Sequence, residues 1–400
     1  MLFNNIKSEF PTLINSELAY FDSAASTQTH QKVLDRMNKY YEHERCNVHR
    51  GDFKLSQDVS KDCDDARHLV AGLLNTTDDN IMFTGGATDG LNMVAHWHKN
   101  YPVVIISEAE HTANILPWLA QGRTIENGKL VVLPVEESGY IDPDKANEVF
   151  RKYPYAFCSL VSTSNVIGIT NNLKKIIYYA HEHGIKICLD ACQTISSHEI
   201  DTSKIFPDFV VGSGHKMFGP TGIGFLYSRL GFDLYQPYRL GGGTVNTYNF
   251  NGNIEFYEGP IKHESGTPNI AGILGLGIAA EYIKFIGYEN ISQRLKIVED
   301  YLSEAGLFEI PELKLSHRLD SKDCRNVFSF VTNNLHPSDI SAFVGLDDVA
   351  VRVGKVCAHP IVNKISNGKG IFRVSTHIYN TKEDCDKLVE SIWKSIKKLS

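Results

Sequence analysis

The sequence predicts an α/β protein with a large, mainly parallel central sheet and a smaller α+β domain at the C-terminus. Short β-rich apolar runs alternate with helix-like segments over the first part of the chain. Such alternation is typical of a parallel sheet covered by helices on both faces. From about residue 269 the pattern changes to long helical periodicity followed by three further strands. We therefore expect a large domain over residues 15–270 and a small domain over 271–400, with residues 1–14 packing against the small one.

Seven apolar runs are predicted to be strands of the large domain, at 81–84, 103–106, 130–135, 156–161, 185–189, 209–211 and 224–227. Helices are predicted between them at 88–98 and 173–183. In the small domain, strands are predicted at 327–331, 349–353 and 371–374, and an amphipathic helix at 383–399. Ligands of such sheets bind beyond the carboxyl ends of the strands, so the residues directly after each run are the candidates for a site.

Composition and charge exclude several classes of protein. The 400 residues are 42% apolar and 22% charged, as in an ordinary globular chain, without repeats or low-complexity tracts. A formal net charge of −7 offers no broad basic field for nucleic acid or an anionic membrane. Without a signal peptide or a bilayer-length apolar run, the protein is expected to be cytoplasmic. The eight cysteines lack the paired spacing of metal ligands, so we predict reduced thiols and no metal site.

A glycine-rich turn follows the first predicted strand. Gly85, Gly86, Ala87 and Thr88 lie between the run at 81–84 and a predicted helix. Small residues let backbone N–H groups approach a phosphate, and a helix N-terminus favours an anion there. A tight turn between a strand and a helix, without any ligand, is the alternative for this motif alone.

Two other strand ends carry an acid and a lysine. Asp190 follows the run at 185–189, where a buried carboxylate needs a cationic partner such as a protonated pyridine nitrogen. Lys216 follows the run at 209–211 in a glycine-flanked turn, and Ser213 and His215 beside it can donate to a phosphate. A single lysine after a strand is usually a solvated surface group. Together with the glycine-rich turn, however, these residues provide what a pyridine, an aldehyde and a phosphate require.

Further motifs appear in a fixed order along the chain: FDSAA at 21–25, NVHRG at 47–51, EHTAN at 110–114, SNV at 164–166, SGHK at 213–216, GGG at 241–243, GTPN at 266–269, Cys357 with Ala358, and Arg373. With these motifs the chain resembles the class V aminotransferase-like pyridoxal-phosphate (PLP) enzymes, most closely the group II (SufS-type) cysteine desulfurases. The resemblance implies PLP-dependent transferase fold type I and conversion of L-cysteine to L-alanine. It also implies a homodimer with shared active sites.

The resemblance implies roles for the cofactor-binding residues. Lys216 would hold PLP covalently and move the α-proton, Asp190 would pair with the pyridinium nitrogen, and His111 would stack on the ring. A histidine at a helix start without a ligand, and amide side chains in turns, remain alternatives. The other implied cofactor contacts are Ala87, Thr88, Asn165, Gln193, Ser213 and His215, with Thr267 reaching the phosphate from the neighbouring subunit.

Substrate contacts are predicted at Arg373, Asn165, Ala25 and Arg50. Arg373 lies inside an apolar strand, where an unpaired guanidinium would be costly. The substrate α-carboxylate would be a bidentate partner for it. A structural ion pair with a protein acid is the alternative, and the sequence leaves both open.

Cys357 is the residue that would determine the reaction. The resemblance implies that its thiolate attacks the substrate sulfur and retains it as a persulfide for a SufE- or SufU-like acceptor protein. Gly354 predicts that the cysteine lies on a loop; if that loop is extended, Lys355 and His359 share a face with Cys357 and place two cations beside the thiol.

The chain departs from the group II pattern at two places. Lys355 and Val356 stand where two histidines commonly precede the cysteine, and Ser162 stands at the position of another histidine. Selenocysteine lyase, or another class V aminotransferase or lyase with an inert Cys357, is therefore an alternative function. A non-enzymatic dimeric scaffold is a further one.

Overall fold

The computed structural model describes residues 5–49, 51–137, 139–316 and 326–400. The strands are β1 Ala19–Tyr20, β2 Ile81–Thr84, β3 Val104–Ser107, β4 Leu130–Leu133, β5 Phe157–Val161, β6 Lys186–Asp190, β7 Phe209–Ser213, β8 Gly224–Ser228, β9 Val245–Tyr248, β10 Ile254–Phe256, β11 Leu313–Leu315, β12 Val327–Thr332, β13 Val349–Ala350, β14 Arg352–Gly354 and β15 Ile371–Ser375. The helices are α1 Pro11–Ile14, α2 Gln31–His43, α3 Lys54–Leu73, α4 Ala87–Trp97, α5 Leu116–Leu119, α6 Pro143–Lys152, α7 Leu173–Glu182, α8 Thr202–Ile205, α9 Ile270–Ile286, α10 Tyr288–Glu304, α11 Pro337–Gly345, α12 His359–Ser366 and α13 Lys382–Leu399.

A seven-stranded sheet forms the centre of the larger part of the protein, in the order β2-β8-β7-β6-β5-β3-β4. Strands β7, β6, β5, β3 and β4 are parallel, and β8 is antiparallel to both of its neighbours. Most positions in these strands are buried, because helices cover both faces of the sheet. The α/β prediction with a mainly parallel sheet is confirmed, and each predicted strand lies within two residues of the observed bounds.

A four-stranded antiparallel sheet, in the order β11-β12-β15-β14, forms the smaller part near the C-terminus. The single strand predicted at 349–353 is wrong. Val349–Ala350 pairs in parallel with Ala19–Tyr20, whereas Arg352–Gly354 pairs antiparallel with β15. The chain changes partner strands at Val351, and the continuous alternation of side chains gives no sign of that change.

The boundary predicted between residues 270 and 271 stays a prediction. Helix α9 packs against α2 and α3, whereas α10, which follows after Gly287, packs against α13. The N-terminal segment contacts both parts: Lys7 pairs with Asp384 of α13, and the Phe10 ring contacts the rings of Phe218 and Tyr379.

Within the described ranges, no single helix is long and apolar enough to cross a membrane. Helices α9 and α10 meet the criteria of length and composition only as a pair, and the chain bends by 79° between them.

Candidate active site

A cavity of about 480 Å³ opens at the carboxyl ends of β5, β6 and β7. Its size suits a small molecule rather than a macromolecule. The structure brings most of the predicted site residues together around it: Ala25, Ala87, Thr88, His111, Asn165, Asp190, Gln193, Ser213, His215, Lys216, Cys357 and Arg373.

The glycine-rich turn places the start of α4 at this cavity. Gly86 precedes the helix with a φ of 136°, which side chains disfavour, and Ala87 and Thr88 follow it at the cavity wall. The Ala87 N–H donates to the Ser213 hydroxyl at 2.8 Å. A Cβ atom on Gly224 would lie only 2.7 Å from the Gly86 Cα, so β8 can approach the turn this closely only with a glycine at position 224. Donors from two separate strand ends therefore meet at one end of the cavity.

His215 is a neutral donor candidate at that same end. Burial, followed by the charge of Lys216, lowers the pKa of His215 to about 4. Its backbone carbonyl accepts hydrogen bonds from the N–H and hydroxyl of Thr27. The hydrogen bonds from Thr27 fix the backbone that carries the imidazole. Because of its low pKa, the imidazole is neutral at neutral pH, so it can donate a hydrogen bond but supplies no positive charge.

Asp190 and Lys216 lie at the ends of the adjacent parallel strands β6 and β7. Asp190 is 4% exposed, and its carboxylate accepts the Cys192 N–H at 3.0 Å. His111 completes this part of the site, and its Nδ1 accepts the Ala113 N–H at 3.1 Å. Burial lowers the pKa of His111, and the charge of Lys216 adds to that effect. A neutral histidine, an acid and a lysine thus line one cavity.

Arg373 forms an ion pair with a protein acid, Asp22. A structural ion pair of this kind is one of the two possibilities that the sequence left open. The guanidinium is 2% exposed, and it donates to Asp22 at 3.1 Å and to the Asn165 carbonyl at 3.0 Å. Arg352, its register partner on β14, binds the other Asp22 oxygen at 2.6 Å. The Arg373 Nε has no hydrogen-bond partner in the described part of the chain. Its role toward a substrate stays a prediction.

The expectation that Lys355, Cys357 and His359 share one face of an extended loop is wrong. Val356 and Cys357 have φ values of +42° and +56°, so both adopt a left-handed rather than an extended backbone. The Lys355 ammonium group instead donates to the Gly368 carbonyl at 2.6 Å, beyond the end of α12. Cys357 is nevertheless exposed at the mouth of the cavity.

The comparison with known proteins identifies the family. The family model described as Aminotransferase class-V matches residues 19–388. The chain belongs to the class V aminotransferase family. Curated relatives include the cysteine desulfurases of Serratia proteamaculans (33% identical) and Klebsiella pneumoniae (34%), each matched over 97% of this chain and 96% of the relative.

Solved structures of two cysteine desulfurases resemble nearly the whole chain. The apo structure of a cysteine desulfurase from Thermococcus onnurineus NA1 superposes with a TM-score of 0.90 at 29% identity, covering 98% of each chain. The S-sulfonic acid form of the cysteine desulfurase CsdA from Escherichia coli has a TM-score of 0.88 at 30% identity, covering 99% of this chain and 98% of that one. These likenesses confirm the predicted PLP-dependent transferase fold type I.

Cys357 differs from the other described cysteines of this class V aminotransferase. It is exposed, whereas Cys63, Cys158, Cys188 and Cys385 are buried, and Cys46 and Cys192 are intermediate. Cys192 also lines the cavity, but burial raises its pKa, which disfavours a thiolate there. Cys324 lies outside the described residues. Among the described cysteines, exposure and position together favour Cys357 as the reactive thiol.

Thr267, a predicted cofactor contact, does not line the cavity. Thr267 borders a different depression of about 610 Å³, together with Gly242 and Gly243. The Gly266 N–H donates to the Gly242 carbonyl at 2.7 Å, so the two glycine segments touch. Arg50 lies outside the described residues. The roles predicted for Thr267 and Arg50 stay predictions.

Sequence reasoning missed a fully buried acid behind His111. Glu110 has 0% exposure, and its carboxyl group accepts hydrogen bonds from the Ser107 hydroxyl (2.5 Å), the Asn114 amide (2.6 Å) and the Val161 N–H (3.0 Å). Burial raises the pKa of Glu110 to about 7. An acid beyond a strand end is usually solvated, so the sequence gives no signal of this burial.

We expect Glu110 to make the stability of the protein depend on pH. Its pKa rises from an ordinary 4.5 to about 7 on folding. This difference in pKa stabilises the folded state at low pH. The stabilisation amounts to about 3 kcal/mol, is complete below pH 4.5, and is lost as the pH rises through 7. In Glu110→Gln, the free energy of unfolding, measured by urea titration at pH 5 and pH 8, is expected to change less between the two pH values. The exposed Glu126→Gln is the control, and an unaltered pH dependence in Glu110→Gln would show that the acid ionises as freely as in the unfolded chain.

Proposed function

We propose that this class V aminotransferase is a PLP-dependent cysteine desulfurase, which converts L-cysteine to L-alanine and takes the sulfur onto Cys357 as a persulfide. The observation that supports this most directly is the exposed Cys357 thiol at the mouth of a cavity that Lys216 and Asp190 also line. The names of the relatives support the same reaction, since both curated proteins described above are called cysteine desulfurases.

The residues at the cavity fit PLP. The start of α4, with Ser213 and His215, supplies donors for a phosphate, and Asp190 supplies an anion for a protonated pyridine. Two further polar atoms, Asn165 Oδ1 and Arg373 Nε, are buried and have no hydrogen-bond partner within the described residues. Buried polar atoms usually have a partner, so their position at the cavity favours a polar ligand.

When bound, PLP supplies an electron sink for the bonds at the substrate Cα. Lys216 would hold the cofactor covalently, and its amine would then accept the α-proton and return a proton later. Asp190 would balance the charge of the ring nitrogen, and the neutral His111 would contact the ring. Ala87, Thr88, Asn165 and Gln193 would complete the cofactor contacts.

The sulfur transfer depends on Cys357. Its thiolate attacks the sulfur of L-cysteine, so a new S–S bond forms while the Cβ–S bond of the substrate breaks. The electron pair of the broken bond stays with the substrate Cβ, which takes up a proton and becomes the methyl group of alanine. One L-cysteine and one thiol therefore give one alanine and one persulfide, without any other oxidant or reductant.

Arg373 is proposed to bind the substrate α-carboxylate, assisted by Asn165, Ala25 and Arg50. We expect Arg373→Lys to raise the KM for L-cysteine by roughly 10- to 100-fold, with a smaller change in kcat, because an ammonium group cannot form the bidentate contact. Steady-state kinetics of alanine formation measures this effect. The exposed Arg151→Lys serves as the control. An unchanged KM would mean that Arg373 serves only its ion pair with Asp22.

A homodimer and an acceptor protein complete the proposal. In the dimer, Thr267 contributes to the phosphate site of the neighbouring subunit, which agrees with its position outside the cavity of its own chain. The exposure of Cys357 supports transfer of the sulfur to a second protein, similar to SufE or SufU, that removes it from the persulfide.

The proposal is tested by product analysis with the purified protein after incubation with PLP. With L-cysteine and a reductant, we expect sulfide and alanine in equal amounts, and a parallel assay with L-selenocysteine compares the two substrates. If L-cysteine is not consumed while another amino acid is, the chain has a different class V activity. If no amino acid is consumed and no PLP is bound, the non-enzymatic scaffold is the better description.

A further inference from the structure

Thr112, the residue after His111, contacts the segment that contains the proposed nucleophile. We define the Cys357 loop as residues 354–358. The Thr112 N–H and the Thr112 hydroxyl both donate to the Cys357 carbonyl, each at 2.7 Å. The Asn165 side-chain amide donates to the preceding carbonyl, that of Val356, at 2.9 Å. Three donors from the cavity side therefore hold two consecutive carbonyl groups of the loop.

The backbone of the Cys357 loop needs such anchors. Val356 (φ +42°) and Cys357 (φ +56°) are consecutive residues in the left-handed region, which L side chains disfavour and β-branched residues almost never adopt. Strained conformations of this kind persist only where the surrounding contacts fix them. The position of the thiol therefore depends on the hydrogen bonds to the two carbonyls.

Thr112 is itself part of a rigid turn. It begins the 3₁₀ helix Thr112–Asn114, and Asn114 at the other end is buried. The Asn114 amide group donates to the buried Glu110 and accepts from the Ser159 hydroxyl of β5 at 2.6 Å. The turn is thus attached to the central sheet, and the same turn presents His111 to the cavity.

We propose that Thr112 is a positioning residue for Cys357: through its N–H and its hydroxyl, it fixes the strained Cys357 loop relative to the turn that presents His111. This inference rests on the proposed function, because the position of Cys357 matters to catalysis only if its thiol accepts sulfur. Reacting atoms must be held close to their productive geometry, and a small displacement of a nucleophile lowers the rate of the step it performs.

Two variants of Thr112 test the inference. Thr112→Val has nearly the same shape but lacks the hydroxyl, whereas Thr112→Ser retains it. In Thr112→Val we expect kcat for alanine formation from L-cysteine to fall roughly fivefold, the effect of one lost hydrogen bond, with the KM within about twofold of wild type. The hydrogen-exchange protection of the amides of residues 112 and 358 is expected to fall by a similar factor. Thr112→Ser is expected to match wild type in all three quantities.

The exchange measurement does not depend on turnover, so it separates this inference from the proposed function. If Thr112→Val keeps wild-type kcat and wild-type protection, or if Thr112→Ser is as impaired as Thr112→Val, the hydroxyl does not position the loop and the inference is wrong. If the wild-type protein puts no sulfur on Cys357, the proposed function fails, and with it the catalytic role of Thr112. In that case the exchange rates still decide whether Thr112 holds the loop.

Discussion

Replacing Lys216 with alanine is expected to lower the rate of alanine formation from L-cysteine by at least about 10,000-fold. The lysine performs two tasks in the proposed reaction, holding the cofactor covalently and moving the α-proton, and no other lysine lines the cavity in the described part of the chain. The rate of alanine formation by the PLP-loaded variant measures this effect.

A second readout shows whether the loss arises at the cofactor. Borohydride treatment of the wild-type protein is expected to fix PLP permanently on the peptide that contains Lys216, as seen by mass spectrometry, whereas Lys216→Ala is expected to remain unlabelled. Lys204→Ala is the matched control, because Lys204 is a surface residue paired with Asp201. Fixed PLP on a different lysine of the wild-type protein would contradict the assignment.

Replacing Cys357 with alanine is expected to leave the bound PLP and its yellow colour intact, but to lower sulfide release by about 1,000-fold. The cofactor contacts all come from other residues, so the cavity still binds PLP. Without this thiol, however, the proposed acceptor of the substrate sulfur is missing. The measurement is the initial rate of sulfide release at saturating L-cysteine, together with the visible absorbance of the variant.

Cys46→Ala is the matched control for Cys357→Ala. Cys46 is partly exposed but does not line the cavity, so its removal is expected to leave sulfide release unchanged. If Cys357→Ala released sulfide as fast as wild type, the thiol would be a bystander, and the chain would belong to another class V activity.

The sequence predicts the central sheet well because parallel strands are buried on both faces. Runs such as 103–106 and 209–211 are continuously apolar, and this pattern alone places them within two residues of the parallel strands β3 and β7. The hairpin of β9 and β10 was not predicted, since its residues are largely exposed and polar and therefore lack a periodic apolar face.

The candidate site was predicted where local motifs determine it. Asp190 and Lys216 follow adjacent parallel strands, so sequence position alone brings them to the same edge of the sheet. The contact of Asp22 with Arg373 and the contact of Glu110 with Val161 join segments that are far apart in the sequence, so no local pattern reveals them. The same limit explains the error at Lys355, whose expected position assumed an extended loop, whereas the hydrogen bonds of Thr112 and Asn165 hold a left-handed one.

In the proposed reaction, sulfur passes from L-cysteine to Cys357. Mass spectrometry of peptides from the PLP-loaded protein, after exposure to L-cysteine without a reductant, detects this transfer. We predict one additional sulfur atom on the peptide that contains Cys357, formed together with one equivalent of alanine and absent from Cys357→Ala. Alanine and sulfide formation without any sulfur added to Cys357, or with the added sulfur on Cys192 or another cysteine, would rule out Cys357 as the sulfur acceptor.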